Sequence, residues 1–161
     1  MIDNINIPNP FGGHEVNHPK RVIIHAMGEF IIINGKWYHA AEFLLKIGLS
    51  AHSLVTPSGV GIRCRQDNER ASHAYKHNTD TLGIEFLVPG VFTKIQQLLD
   101  LMKTDYVTNA AYEKGLQIVN YWNQIHPIQE VTTHAAVSPK RKEDPGSGFP
   151  LDFYTEVNNS L

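Results

Sequence analysis

The chain has 161 residues, 42% hydrophobic and 19% charged, with a formal net charge of −2 from 14 basic and 16 acidic side chains. That length suits one domain with its own buried core, and the near-neutral balance argues against a nucleic-acid partner. The single cysteine, Cys64, excludes an internal disulfide and a cysteine-rich metal knot, while 9 histidines favour metal or acid–base chemistry.

The N-terminus, Met1-Ile2-Asp3-Asn4-Ile5-Asn6, has no basic patch followed by an apolar run, so no export signal is expected, and no apolar stretch is long enough for a membrane span. Residues 1–20 are rich in Asn, Pro and Gly and predict an irregular arm ahead of a domain over 21–161. His14 and His18 read as exposed loop histidines. Arg21-Val22-Ile23-Ile24-His25 predicts a first buried strand with an imidazole at its tip. Phe30 to Ile33 predicts a short further strand before the turn Asn34-Gly35. A helix is expected from about Tyr38 to Lys46, ended by Gly48. Ser50–Val55 and Val60–Arg65 predict two strands joined at Pro57-Ser58-Gly59, with His52 read as a core residue in preference to a cleft-lining one. Asp67 to Arg70 is a charged turn, and His77 lies in a polar loop with no assigned role.

Leu82 to Val88 predicts a central strand broken by Pro89-Gly90. Within it Glu85 is a lone acid between Ile84 and Phe86, which must either face solvent or be buried with a partner. Thr93 is placed to cap a helix through Ile95, Leu98, Leu99 and Met102, and a second helix is expected over Ala110–Gln124, with His126 at its C-terminus favoured by the helix dipole. Gln129–Thr133 predicts a strand that delivers His134. Ten residues later Asp144 precedes the turn-forming pair Pro145-Gly146. The basic loop Ser138–Lys142 between them reads as solvated, and Phe149 to Tyr154 suggests a closing helix. Strands mixed with helices in this order predict an α/β domain with a central mixed β-sheet and helices packed on its faces.

No compact HExxH helix is present. Instead His25, His134 and Asp144 offer two imidazoles and one carboxylate from dispersed segments. Three protein ligands with an open fourth position make the catalytic rather than the structural zinc pattern.

The strand-borne His25, the segment Thr81-Leu82-Gly83-Ile84-Glu85 and the run from Thr133-His134-Ala135 to Glu143-Asp144-Pro145-Gly146 together resemble the zinc-dependent N-acetylmuramoyl-L-alanine amidases (amidase type 2). That family spans phage lysozyme-type amidases, bacterial amidases that recycle wall fragments, and peptidoglycan recognition proteins, and the resemblance runs from about His25 to Phe149. It implies a peptidoglycan recognition protein-like fold, with Zn²⁺ held by His25, His134 and Asp144. It implies Glu85 as general base and Lys142 as the cation that stabilises the oxyanion. The substrate would be peptidoglycan or a soluble muropeptide, cut at the amide between N-acetylmuramic acid and L-alanine. Ala51 stands where some members carry an assisting tyrosine, which leaves the proton transfers to Glu85. Ala71-Ser72-His73-Ala74 resembles the family's Trp-His-Ala-Gly segment at the cleft rim, but Ser72 replaces the tryptophan and the binding role of His73 stays open.

Two other readings stand beside this one. A non-catalytic peptidoglycan-binding module of the same fold would need a ligand or the base replaced, and a zinc peptidase would act on the stem peptide. Neither a membrane nor a nucleic acid is expected as partner. A cytoplasmic recycling role and an endolysin role at the wall during phage lysis both fit, and the oligomeric state is open.

Overall fold

A computed structural model of the chain describes residues 3–4 and 16–161. In chain order its elements are β1 (Asp3–Asn4), β2 (Arg21–Ile33), β3 (Lys36–His39), α1 (Ala40–Ile47), β4 (Ser53–Val55), β5 (Gly61–Arg63), β6 (Thr81–Phe92), α2 (Ile95–Leu101), α3 (Asn109–Ile125), β7 (Glu130–Thr133), α4 (His134–Val137) and α5 (Leu151–Asn159). The strands form one 7-stranded sheet in the order β1-β5-β4-β6-β2-β3, with β7 also on β2. β6, β7 and β4 run parallel to their neighbours β2, β2 and β6, whereas β2–β3 and β4–β5 are antiparallel hairpins. The fold is a single α/β domain with a mixed sheet, as the strand and helix order predicts. No helix among the described residues is long and apolar enough to cross a membrane.

The two-residue period of the central strands separates two cores. Val22, Ile24 and Ala26 of β2 join Leu82, Ile84, Phe86 and Val88 of β6 against Val119 and Trp122 of α3 and Phe153 and Val157 of α5. The alternate positions Met27 and Leu87, with Leu54, pack under Ala40, Ala41 and Leu44 of α1 in a smaller second core. His25 and Glu85 fall in phase with Met27 and Leu87, so the pattern that buries the large core turns both toward the α1 face.

Several local expectations change. β2 does not end at His25: Ala26, Met27 and Gly28 go on pairing with Phe86, Leu87 and Val88. Phe30–Ile33 is therefore the continuation of β2, which turns back through Asn34 and Gly35, both at positive φ, into β3. Pro89-Gly90 does not break β6. Gly28 pairs with Val88 and Phe30 with Val91, so the pair occupies a bulge, where proline's missing donor is tolerated. α1 starts later than expected because His39 caps it, Nδ1 accepting from the Ala41 N–H at 3.2 Å; Gly48 closes it in the left-handed conformation. The hydroxyl of Thr93 does not cap α2; the Gln97 side chain reaches back to accept from the Thr93 and Lys94 N–H groups. His126 is held by Asp67, whose carboxylate also accepts from Arg63 and Trp122, which gives the charged turn a structural task.

In the expected N-terminal arm, Asp3–Asn4 pair with β5 and Val16 bridges Glu69. His18 is exposed, and His14 lies outside the described residues.

One feature of β2 places the site. β6 takes one edge of this strand, while β7 (at Arg21–Ile24) and β3 (at Phe30–Ile33) share the other. Among the described residues no strand lies beside His25–Glu29 on that edge, and the chain leaving β7 turns there into α4.

Candidate metal centre

His25 lies on β2 at the first position past the β7 pairing and is 1% exposed. His134 directly follows β7 as the first residue of α4, whose start is held by the Thr133 hydroxyl accepting from the Ala136 N–H at 3.0 Å. Asp144 is fixed through its own backbone, its carbonyl accepting from the Ala135 N–H at 2.9 Å. The next carbonyl, that of Pro145, accepts from the Tyr106 hydroxyl at 2.6 Å. The turn at Pro145-Gly146 thus directs the carboxylate as its sequence suggests, with two outside hydrogen bonds holding it.

These three side chains converge. His25 Nδ1 lies 3.0 Å from His134 Nδ1 and 3.2 Å from Asp144 Oδ2, and His134 Nδ1 is 3.1 Å from either carboxylate oxygen. One ligand atom from each residue lies within 4.8 Å of the others. Burial lowers the pKa of His25 more than the adjacent Asp144 raises it, which favours the neutral, ligand form of the ring. Burial alone would raise the Asp144 pKa, but hydrogen bonding led by His134 outweighs it and holds the carboxyl well below its usual range. Two imidazoles, that of His25 favoured in its neutral form, beside an ionised carboxylate make a donor set that suits a divalent zinc ion.

Glu85 is the β6 residue in register with His25, between it and Leu54 of β4. It is buried, and its Oε2 has no hydrogen-bond partner among the described residues. Burial first, and the Asp144 carboxylate second, push its pKa well above the ordinary value, while Lys142 pulls the other way. Of the two fates open to this acid in the sequence, it takes burial, but without the expected partner at Oε2 among the described residues.

His25, His134, Asp144, Glu85 and Lys142 all line one cleft of about 510 Å³. Its remaining wall is mostly apolar, including Met27, Phe43 and Leu44 on one side and Phe92, Leu98 and Met102 on another. Lys142 is half-buried in that wall, so the basic loop is not wholly solvated.

His52 is a core residue, fully buried, with Nδ1 accepting from the Gly83 N–H at 3.0 Å and Nε2 2.8 Å from the Glu69 carbonyl; burial pushes its pKa down to about 4. His73 does not sit exposed at a rim. Its ring lies behind His25, with Nδ1 2.8 Å from His25 Nε2 and Nε2 3.0 Å from the Thr81 hydroxyl. Sequence reasoning missed this contact and the part of Thr81 in it. The available signal was Gly83, a glycine in a strand of bulky residues, which marks a close approach. A Cβ there would stand 2.6 Å from His73 Nδ1. Gly83→Ala is therefore expected to cost about 1–3 kcal/mol by overpacking, seen as a lower urea midpoint with an unchanged m-value.

The sequence matches the family model described as N-acetylmuramoyl-L-alanine amidase over residues 15–147. No curated protein matches the chain. Among solved structures it is similar to the N-acetylmuramoyl-L-alanine amidase LysC from Clostridium intestinale URNW, with a TM-score of 0.74 and 18% identity over 98% of this chain and 97% of that one. It is similar to Citrobacter freundii AmpD at a TM-score of 0.61 and 20% identity, over 99% and 92% of the two chains. The Drosophila peptidoglycan recognition protein SA matches at a TM-score of 0.58 and 17% identity, over 93% and 83%. At such identities these likenesses speak for the fold, and the family match spans the strand that carries His25, the strand that carries Glu85 and the segment from His134 to Asp144. The chain belongs to the N-acetylmuramoyl-L-alanine amidase family.

Proposed function

We propose that the chain is a zinc-dependent hydrolase that cleaves the amide between N-acetylmuramic acid and L-alanine in peptidoglycan or its soluble fragments, with residues 21–161 as the catalytic domain. The observation that carries this reading is the convergence of His25, His134 and Asp144 within hydrogen-bonding distance of one another, in a cleft that also holds the buried carboxyl of Glu85. The neighbours agree in kind: one is an endolysin amidase from Clostridium intestinale and another a recognition protein in complex with tracheal cytotoxin, a monomeric diaminopimelic acid-type peptidoglycan.

His25, His134 and Asp144 would hold the zinc ion. Bound there, zinc supplies Lewis acidity toward the amide carbonyl and lowers the pKa of water from about 15.7 toward ~7. Glu85 takes the proton from the attacking water as the new C–O bond forms. It returns that proton to the alanine nitrogen as the C–N bond breaks, leaving a lactyl carboxylic acid and a free amine. A carboxyl whose pKa burial raises can hold the proton between these steps. Lys142 places its ammonium in the cleft to offset the negative charge on the carbonyl oxygen, and the apolar wall excludes competing water and strengthens that attraction.

A non-catalytic binding module is disfavoured because all three ligands and the acid are present together. The reading is tested by zinc content and by peptide release from purified peptidoglycan, with and without a chelator. We expect one zinc per chain and chelator-sensitive release of peptides beginning with L-alanine. Release of internal amino acids would mean a stem-peptide peptidase, and zinc with binding but no release would mean a recognition module.

A further inference from the structure

We propose that His73 and Thr81 form a directed hydrogen-bond chain that fixes the tautomer of His25 and so presents its Nδ1 lone pair to the metal; this rests on the metal-centre reading above. The direction is set at the far end. The Thr81 hydroxyl donates to the His77 carbonyl at 2.7 Å, and a backbone carbonyl can only accept. Having spent its one proton, Thr81 Oγ1 can only accept from His73 Nε2 at 3.0 Å. His73 therefore carries its ring proton on Nε2 and offers a lone pair at Nδ1. That lone pair, 2.8 Å from His25 Nε2, makes a hydrogen bond only if His25 is protonated on Nε2. Neutral His25 is then left with a lone pair on Nδ1, the atom that faces His134 and Asp144.

The consequence at the centre is specific. With Nδ1 unprotonated, its 3.2 Å approach to Asp144 Oδ2 sets one acceptor against another, an arrangement that calls for a cation between them. The parts of the chain are locked in place. Thr81 is fully buried and His73 is 9% exposed, so water has little access to replace either. The Asn78 side chain accepts from the His73 and Ala74 N–H groups at 2.9 and 2.7 Å, which holds the His73 backbone. Gly83 leaves the space His73 Nδ1 needs. The other imidazole is not supported in this way, since His134 Nε2 has no partner among the described residues. His73 and Thr81 are thus positioning residues for one ligand of the pair.

The test reads the ring protons directly. In ¹⁵N-labelled, metal-free protein at neutral pH, long-range proton–nitrogen NMR is expected to show His25 protonated on Nε2. Thr81→Val, nearly the same in shape, is expected to leave His25 a mixture of tautomers. It is also expected to weaken zinc binding, measured against a competing chelator, by roughly 10- to 100-fold. Thr81→Ser keeps the hydroxyl and is expected to behave as wild type. His73→Ala repeats the loss, and His73→Gln restores binding, because its amide can accept from His25 and donate to Thr81. The proposal is overturned if wild-type His25 carries its proton on Nδ1, or if Thr81→Val and His73→Ala change neither tautomer nor affinity. A wild-type protein that binds no zinc would sink the metal-centre reading instead, while the tautomer, measured without metal, would still decide the chain.

Discussion

Glu85→Gln is expected to retain zinc and to lose turnover by roughly 10²- to 10⁴-fold, the range for removing a general acid–base. The same variant is expected to be more stable than the wild type when metal-free. The buried carboxyl has an unpartnered oxygen and a folded-state pKa well above its ordinary value of 4.5. Above that value the unfolded chain releases a proton that the folded chain keeps, so wild-type stability falls as pH rises. A glutamine has no proton to release. The gain should be absent near pH 4 and grow toward neutrality, reaching about 1–3 kcal/mol, the usual cost of an uncompensated buried polar group. Melting temperatures of the two metal-free proteins across this range check the second half, and single-turnover assays check the first. Turnover close to wild type would remove Glu85 from the mechanism. A pH-independent gain would mean that its folded-state pKa is not raised, and a gain that shrinks as the pH rises would mean that its carboxyl is ionised and paired.

Asp144→Asn should show the opposite sign. Here hydrogen bonding led by His134 holds the folded pKa below the ordinary value of 3.8, so the carboxylate contributes stability that is present above that pH and lost as the pH falls through the folded pKa. The variant should therefore be less stable than wild type at neutral pH and match it in strong acid. Its zinc affinity is expected to fall by more than the roughly 100-fold that marks loss of an orienting group, because a charged ligand is gone. Dialysis against a chelator followed by elemental analysis measures this. An unchanged zinc content would mean that the third ligand lies elsewhere.

The residues that converge in the cleft were legible in the sequence, but not how deeply they are buried. Patterns of two and three to four residues placed the central strands and the longer helices, because those patterns record which face is buried. The converging residues stood out because His134 and Asp144 sit at a strand end and before a Pro-Gly turn, where direction is set locally. What escaped was set by pairing between distant segments. Whether β2 stops at His25 depends on β6 continuing alongside it, and whether Pro89-Gly90 breaks a strand depends on the neighbour that accommodates a bulge. The partner of His73 was hidden for the same reason: 48 residues separate it from His25, and only the packing of β6 between β2 and β4 brings them together.

The sheet has two unequal faces, the larger core under α3 and α5 and the smaller one under α1, toward which His25 and Glu85 turn. Such a layout divides labour. The larger core holds most of the buried apolar residues, so α1 and its flanking loops can open and close, or drift in sequence, without releasing the rest. In hydrogen exchange this should appear as two tiers, with the amides of α1 exchanging through local opening well before those of β6 and α3, which wait for the whole domain to unfold.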